Sequence, residues 1–301
     1  MRCVVLGYQS EKISMATARL SKELDPRRAI LPPAKRVFRL DDIPGVMEDC
    51  LSWPVAASLL RRWFSQPAWT MSADLKTGRG MPTQLDAAQV DEDTVRMDWL
   101  LRYERVQQAC SALLAAWHTP VGLKRLREQI RAQGPQHAKG TWLFGDLSLS
   151  ARQLDATCQV NARAFGGMSD PFDECYGAIG RGMLRLAVSG VVQAQGNLLK
   201  ITVFEVGVYL RDSYDFSEDG CDWLSQTLGC WGHDGLEKRD AHRRRIEIDA
   251  QCAGEEAEDL KYEVHNEDFR RYRLKHALGG DFLVFSDVHR VRLSHPQTFV
   301  L

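Results

Sequence analysis

The chain predicts an α+β fold, with helices in its first half and a mainly antiparallel sheet in its second. Two observations carry this expectation. Apolar residues recur at three- and four-residue spacing between about 53 and 130, and beyond Gly140 the period drops to two. A hairpin signal, QAQGN, joins the two longest alternating runs. The expected layout is an extended arm over residues 1–40, a helical region with a helical hairpin over 41–140, and a mainly antiparallel β domain over 141–301.

The arm is read from Pro26, Pro32 and Pro33 and from the unpaired bases Lys35, Arg36 and Arg39. Val55, Leu59, Leu60, Trp63 and Phe64 keep helical spacing. They predict a helix over about 53–64, with Ser52 able to cap, Pro54 tolerated in the first turn and Pro67 as the stop. GRGMPT at 78–83 is a loop. Val95, Trp99, Tyr103, Val106, Cys110, Leu113, Leu114 and Trp117 then predict one helix of more than twenty residues. Asp91, Glu92 and Asp93 lie at its start, where the helix dipole favours acids. Thr119 and Pro120 open a second helix that ends near Gly134, so the two form an antiparallel hairpin. Trp99 and Trp117 are read as core residues.

After Gly140, TWLFGDL is a strand. GRGMLRLAVSGVV sets Leu184, Leu186 and Val188 on one face against Met183, Arg185 and Ala187 on the other. Past the turn, LLKITVFEVGVYLRD completes a hairpin. Residues 217–259 are turn-rich and charged, and their basic run KRDAHRRR (238–245) is read as a solvated face. KYEV and FLVFSDVHRVRL add strands, and the terminal TFVL packs against the sheet.

The balance of 39 Lys and Arg against 40 Asp and Glu leaves no overall field to draw nucleic acid or an anionic membrane. Eight Cys without a CxxC, and no His/Cys cluster at zinc spacing, point to reduced thiols in the cytoplasm of the producing cell. The first twelve residues hold only a five-residue apolar stretch, too short for a signal-peptide core, and no run is long enough to span a membrane.

Chemistry concentrates in two segments. VGVYLRDSYDF (206–216) is an apolar strand that delivers Asp212, Tyr214 and Asp215 to its own end. Alternation puts Asp212 beside Tyr214 and turns Asp215 away unless the strand bends there. Two carboxylates so close can hold a divalent ion or divide acid and base roles; Asp and Ser after a strand also make ordinary Asx turns. The second segment, NEDFRRYRLKHALGGDFLVFSD (266–287), gathers Arg270, Arg271, Arg273, Lys275 and His276 next to the Gly279-Gly280 turn and Asp281. Its arginines suit a phosphate and His276 suits an acid or base; equally, they can serve as salt-bridge partners for the acids of the first segment.

DIPGVM followed by WPVAASLLRRWFSQPAW, then AIGRGMLRLAVSG, VGVYLRDSYDF, NEDFRRYR and GGDFLVFSDV, resembles a functionally uncharacterised bacterial family whose genes tend to lie beside type VI secretion spike-tip components. The resemblance covers about 41–288 and implies a spike-tip or neighbouring component as partner. GRGMLRLAVSG through DSYDF is also similar to the β-domain of colicin M-like bacteriocins, which cleave the lipid II pyrophosphate linkage with Mg²⁺ and carry an Asp-x-Tyr-Asp motif. Asp212, Tyr214 and Asp215 match that motif. The essential basic pair that follows it in that family is missing here, because no Lys, Arg or His lies between Ser217 and Gly232. Its place would fall to Arg273 and His276, then His233.

This second resemblance implies an antibacterial hydrolase of a lipid-linked cell-wall precursor, delivered to the periplasm of a target cell, with Mg²⁺ on Asp212 and Asp215. The competing expectation is a non-catalytic adaptor, chaperone or immunity-like partner. In that case the helical hairpin is the interaction element, and the 95–117 helix would present an exposed apolar face.

Overall fold

The computed structural model describes residues 38–133, 139–167, 169–196, 198–216, 227–238 and 261–301. The arm up to residue 37, the Gly134 stop and most of the 217–259 stretch, including 239–245 of the basic run, lie outside the described residues. From Arg39 on, the chain forms one unit.

The organising element is a long hairpin, β4 (Gly182–Gln195) and β5 (Leu198–Tyr214). Leu184, Leu186, Val188, Val206, Val208 and Leu210 are all buried, and so are Ala187, Tyr209 and Arg211 on the opposite face, so both sides of the hairpin are covered over its middle. β2 (Lys139–Phe144) and β3 (Gln159–Phe165) pair successive stretches of β4. β9 (Phe282–Phe285) and β10 (His289–Val300) do the same along β5. The seventh strand, β1 (Val90–Asp91), joins β9 in parallel, and every other pairing in this sheet is antiparallel. A separate three-stranded sheet has the order β7-β6-β8, with β6 at Thr227–Gly232, β7 at Gly235–Glu237 and β8 at Tyr262–His265.

α1 (Ile43–Asp49) and α2 (Pro54–Ser65) bury Ile43, Val46, Met47, Leu59, Leu60, Trp63 and Phe64. The cap of α2 differs from the expectation. Ser52 has a left-handed backbone (φ 58°) and Trp53 holds the N-cap position. The orphan amide of Val55 is instead satisfied at 2.6 Å by Glu174, which also accepts from the Trp99 indole at 2.9 Å. Glu174 opens α8 (Glu174–Ala178), so one distant carboxylate ties three segments together. α2 stops where Gln66 turns extended ahead of Pro67.

The single helix expected from Asp91 is two. Val90 and Asp91 are extended in the sheet, and the Asp91 carboxylate accepts from Thr94 N at 2.8 Å and from Asp93 N, closing an Asx turn where a helix would have to begin. α4 (Met97–Leu100) starts only after that turn, with Asp287 accepting from Met97 N, and α5 (Glu104–Ala115) follows a further turn at 101–103. α6 (Pro120–Gln133) begins as expected, with Thr119 Oγ1 accepting from Gly122 N at 3.1 Å. α5 and α6 both pack on β3. Trp99 and Trp117 are buried, the latter edge-on to Phe299 of β10, so the end of the chain does pack on the fold.

The short helix α3 (Ala73–Lys76) precedes the 78–83 loop, and α7 (Ala151–Thr157) precedes β3. NEDFRRYRLKH, where the sequence pattern predicts no helix, is the helix α9 (Asn266–His276), and its Asp268 accepts from His265 N at 2.8 Å to close the first turn. Among the described residues, no helix is long and apolar enough to cross a membrane.

Candidate functional site

The acids sit where β5 pairs with β9, with Asp212 opposite Val284 and Tyr214 opposite Phe282. The register keeps Asp212 and Tyr214 on one face, as alternation requires. Tyr214 is buried, stacked on Phe282 at 5.0 Å and edge-on to Phe216, and it lines an apolar cavity of about 70 Å³ with Ile43, Met47, Trp53 and Trp231. Burial first, and then the neighbouring Asp212, push its phenol well above the ordinary tyrosine value.

Asp212 is half-buried. Burial is the largest influence on its carboxyl and Asp215 adds repulsion. The Ser213 amide and the Arg211 guanidinium oppose them, and the balance pushes the carboxyl up to about 8. Asp212 is therefore mostly protonated at neutral pH.

Asp215 turns to the other side of the strand end and meets a cation that the sequence reading missed. Lys76 Nζ, 139 residues away at the end of α3, donates to Asp215 Oδ1 at 2.8 Å, and both side chains are about nine-tenths buried.

Arg273 does not reach the two acids as a catalytic cation. It forks onto Asp281, the Gly279 carbonyl and Thr70 Oγ1, and lies 5.3 Å over the Trp63 ring, as Arg62 lies 5.1 Å over Phe282. Asp281 is fully enclosed and also accepts from Trp63 Nε1 at 3.2 Å and Met71 N at 3.0 Å. Burial is the main cause that raises its carboxyl, and Asp215 also raises it, so Asp281 links the Arg273 cluster electrostatically to Asp215. Arg270 donates to the Phe216 carbonyl at 3.0 Å and Arg271 pairs with Glu267 on its own helix. His276 is exposed at the end of α9 against Tyr272, and His233 is exposed in the β6–β7 turn. Neither is assembled with the acids.

Asp212 and Asp215, expected to share Mg²⁺, do not fit that role as folded. They lie on alternate sides of the strand end and Asp215 is ion-paired with Lys76, whereas Mg²⁺ wants convergent anionic oxygens in octahedral array. Among the described residues, no group of three or more His, Cys, Asp and Glu side chains could hold a metal ion.

A second charged cluster lies one turn of the pleat back along β5. Arg185 of β4 and Arg211 of β5, 9 % and 3 % exposed, share the carboxylate of Asp155 from α7, 6 % exposed. Arg185 Nη1 donates to Oδ1 at 2.8 Å, Arg211 Nε lies 3.3 Å from Oδ2, and the Tyr209 hydroxyl donates to Oδ1 at 3.1 Å. Burial, and then Arg185, lower the Arg211 pKa from its ordinary value. The signal in the sequence was a pair of arginines inside otherwise apolar strand runs, at positions that must face the core.

Neither the search of curated proteins nor that of solved structures finds a match. A family model matches residues 38–301, the greater part of the chain. By that match the chain belongs to a family of unknown function, DUF6402.

Proposed function

We propose that the chain is a hydrolase of a phosphodiester or pyrophosphate linkage, an antibacterial effector-like protein of a type VI secretion neighbourhood that acts on a lipid-linked cell-wall precursor in the periplasm of a target cell. The observation that carries the enzymatic part is Asp212, a half-buried carboxyl at a strand end whose pKa of about 8 keeps it protonated at working pH. The likeness to colicin M-like proteins in the order of Asp212, Tyr214 and Asp215 supports the substrate class, and the likeness to secretion-linked proteins supports the delivery.

In this reading no step runs through a metal. A water oxygen bonds to phosphorus as the ester P–O bond breaks. Asp212 gives its proton to the leaving oxygen and is reloaded by the proton that the water releases. Tyr214, held neutral, fixes the face on which Asp212 works. The adaptor reading loses its motivating feature, since Val95, Trp99, Val106, Cys110, Leu113 and Trp117 are all buried.

The test is growth of a bacterial host expressing the chain with a periplasmic export signal, alongside cytosolic expression and exported Asp212→Asn. Lysis from the exported wild-type chain alone, with cleavage of purified lipid II in vitro, is the expected result. Soluble, abundant exported protein without lysis or cleavage would overturn it in favour of an adaptor, to be sought by pull-down of spike-tip components.

A further inference from the structure

Two guanidinium groups buried on one carboxylate leave one positive charge without an anion. Asp155 is already shared with Arg185, and Asp212, next along the strand, lies on the other face of β5. Among the described residues, Arg185 Nε is buried without a hydrogen-bond acceptor, and Arg211 Nε has only Oδ2 of Asp155, a carboxylate shared with Arg185, at 3.3 Å. Uncompensated charge in a low-dielectric interior is costly to maintain, so its retention calls for a ligand.

What lies over the pair is the segment Ser72–Gly80. Arg211 Nη2 donates to the carbonyl of Leu75, a neutral oxygen standing where an anionic one would bind more strongly. Gly78, at φ 78°, lies flat on Arg185, and a Cβ there would come within 2.4 Å of Nη2. Lys76, between these two contacts, is pinned to Asp215. The segment also closes on itself, with Arg79 N and Gly80 N both donating to Asp74 O at 2.8 Å and Arg79 Nε to the Asp74 carboxylate at 2.9 Å. It is a small preformed unit, and the Lys76–Asp215 ion pair and the Arg211–Leu75 hydrogen bond tie it to β5.

We infer that Arg185 and Arg211 form an oxyanion-binding site for a phosphate group, with residues 72–80 as its cover and Lys76–Asp215 as the latch. The inference rests on the hydrolase reading for the identity of the anion and adds a site apart from its proton donor, because Arg211 alternates with Asp212 and Tyr214 along β5 and so faces the other side of the strand. With the cover displaced, the two guanidinium forks face the anion.

The experiment is calorimetric titration of the full chain with inorganic phosphate, with pyrophosphate, and with micelles of short-chain phosphatidic acid or phosphatidylcholine. Saturable binding of pyrophosphate or phosphate is expected and identifies the free anion. Binding of phosphatidic acid alone identifies a lipid phosphate and supports the site equally. Binding of neither anion nor phosphatidic acid in excess of phosphatidylcholine overturns it.

Lys76→Met should tighten binding by roughly 3- to 10-fold by loosening the cover, and Arg211→Gln should weaken it at least about 10-fold. Unchanged affinity in Lys76→Met overturns the cover even if Arg211→Gln fails to fold. Asp212→Asn separates the two readings. Arginine-dependent anion binding without hydrolysis in any variant keeps the site and removes the hydrolase. Anion binding that is unchanged in both Arg185→Gln and Arg211→Gln removes the site, whatever happens to hydrolysis.

Discussion

Asp212→Asn should make the protein more stable, and increasingly so as pH rises. In the unfolded chain the carboxyl titrates near 3.9, while in the fold it titrates at about 8. Below pH 4 both states hold the proton, and the stabilisation that comes from burying a neutral carboxyl is fully present. Between pH 4 and 8 the unfolded chain has released its proton and the folded chain has not, so stability falls by about 1.4 kcal/mol per pH unit. Above pH 8 the fall ends. The full span corresponds to an upper limit of about 6 kcal/mol, and solvent access to the half-buried group reduces it to roughly 2–4 kcal/mol. Asparagine keeps the shape and removes the titration. Urea unfolding of wild type and Asp212→Asn at pH 5, 7 and 9 should therefore show the variant gaining roughly 1.5–3 kcal/mol on the wild type between pH 5 and 9, about three quarters of the full span. An advantage that stays the same at all three pH values would refute the argument that Asp212 is buried as the neutral acid. It would also remove the proton donor from the proposed mechanism.

Asp155→Asn removes the one carboxylate shared by two buried arginines and should cost about 3–5 kcal/mol in urea unfolding; added pyrophosphate should recover part of the loss if the arginines bind it. Glu174→Ala strips the acceptor from the Val55 amide and the Trp99 indole at once, for a loss of about 2–3 kcal/mol, whereas Ser52→Ala should fall within about 0.5 kcal/mol. Arg273→Ala leaves enclosed Asp281 without its cation and should cost about 2–4 kcal/mol, while His276→Ala should leave both melting temperature and lipid II cleavage unchanged. Cleavage that fails in His276→Ala with folding intact would restore that histidine to the site.

The hairpin at the centre of the sheet was legible because its alternation is long and its turn residues are explicit. Leu184, Leu186 and Val188 could face only the core, and Gly196 at φ 64° takes the turn. Periodicity overreached at Val95 to Trp117, where the spacing is helical but Asp91 is spent on an Asx turn that holds Val90 in the sheet. A local pattern carries no information about a two-residue parallel strand whose partner, Leu283–Val284, lies nearly 200 residues away. α9 was missed for the opposite reason. Phe269 is its one buried side chain and Leu274 is 86 % exposed, so there is no apolar stripe to read. What makes it a helix is its first-turn acids, the His265–Asp268 bond and the left-handed stop at Ala277, all of them end effects.

The site shows the same division. Alternation alone put Asp212 beside Tyr214, and the register with β9 keeps the two on one face; Asp215, beyond the last paired residue, meets Lys76. The partners were hidden because each charged position at the end of β5 is answered by a segment distant in sequence: Arg211 by Asp155 and the Leu75 carbonyl, Asp215 by Lys76. Asp212 is the exception: among the described residues no cation pairs with it closely, and burial raises its carboxyl. A strand end that neutralises its flanking charges and leaves one acid to burial holds a proton where the chain is solvent-accessible. The cost falls on the fold as pH rises, and a stabilised Asp212→Asn that no longer cleaves substrate would tie that cost to function.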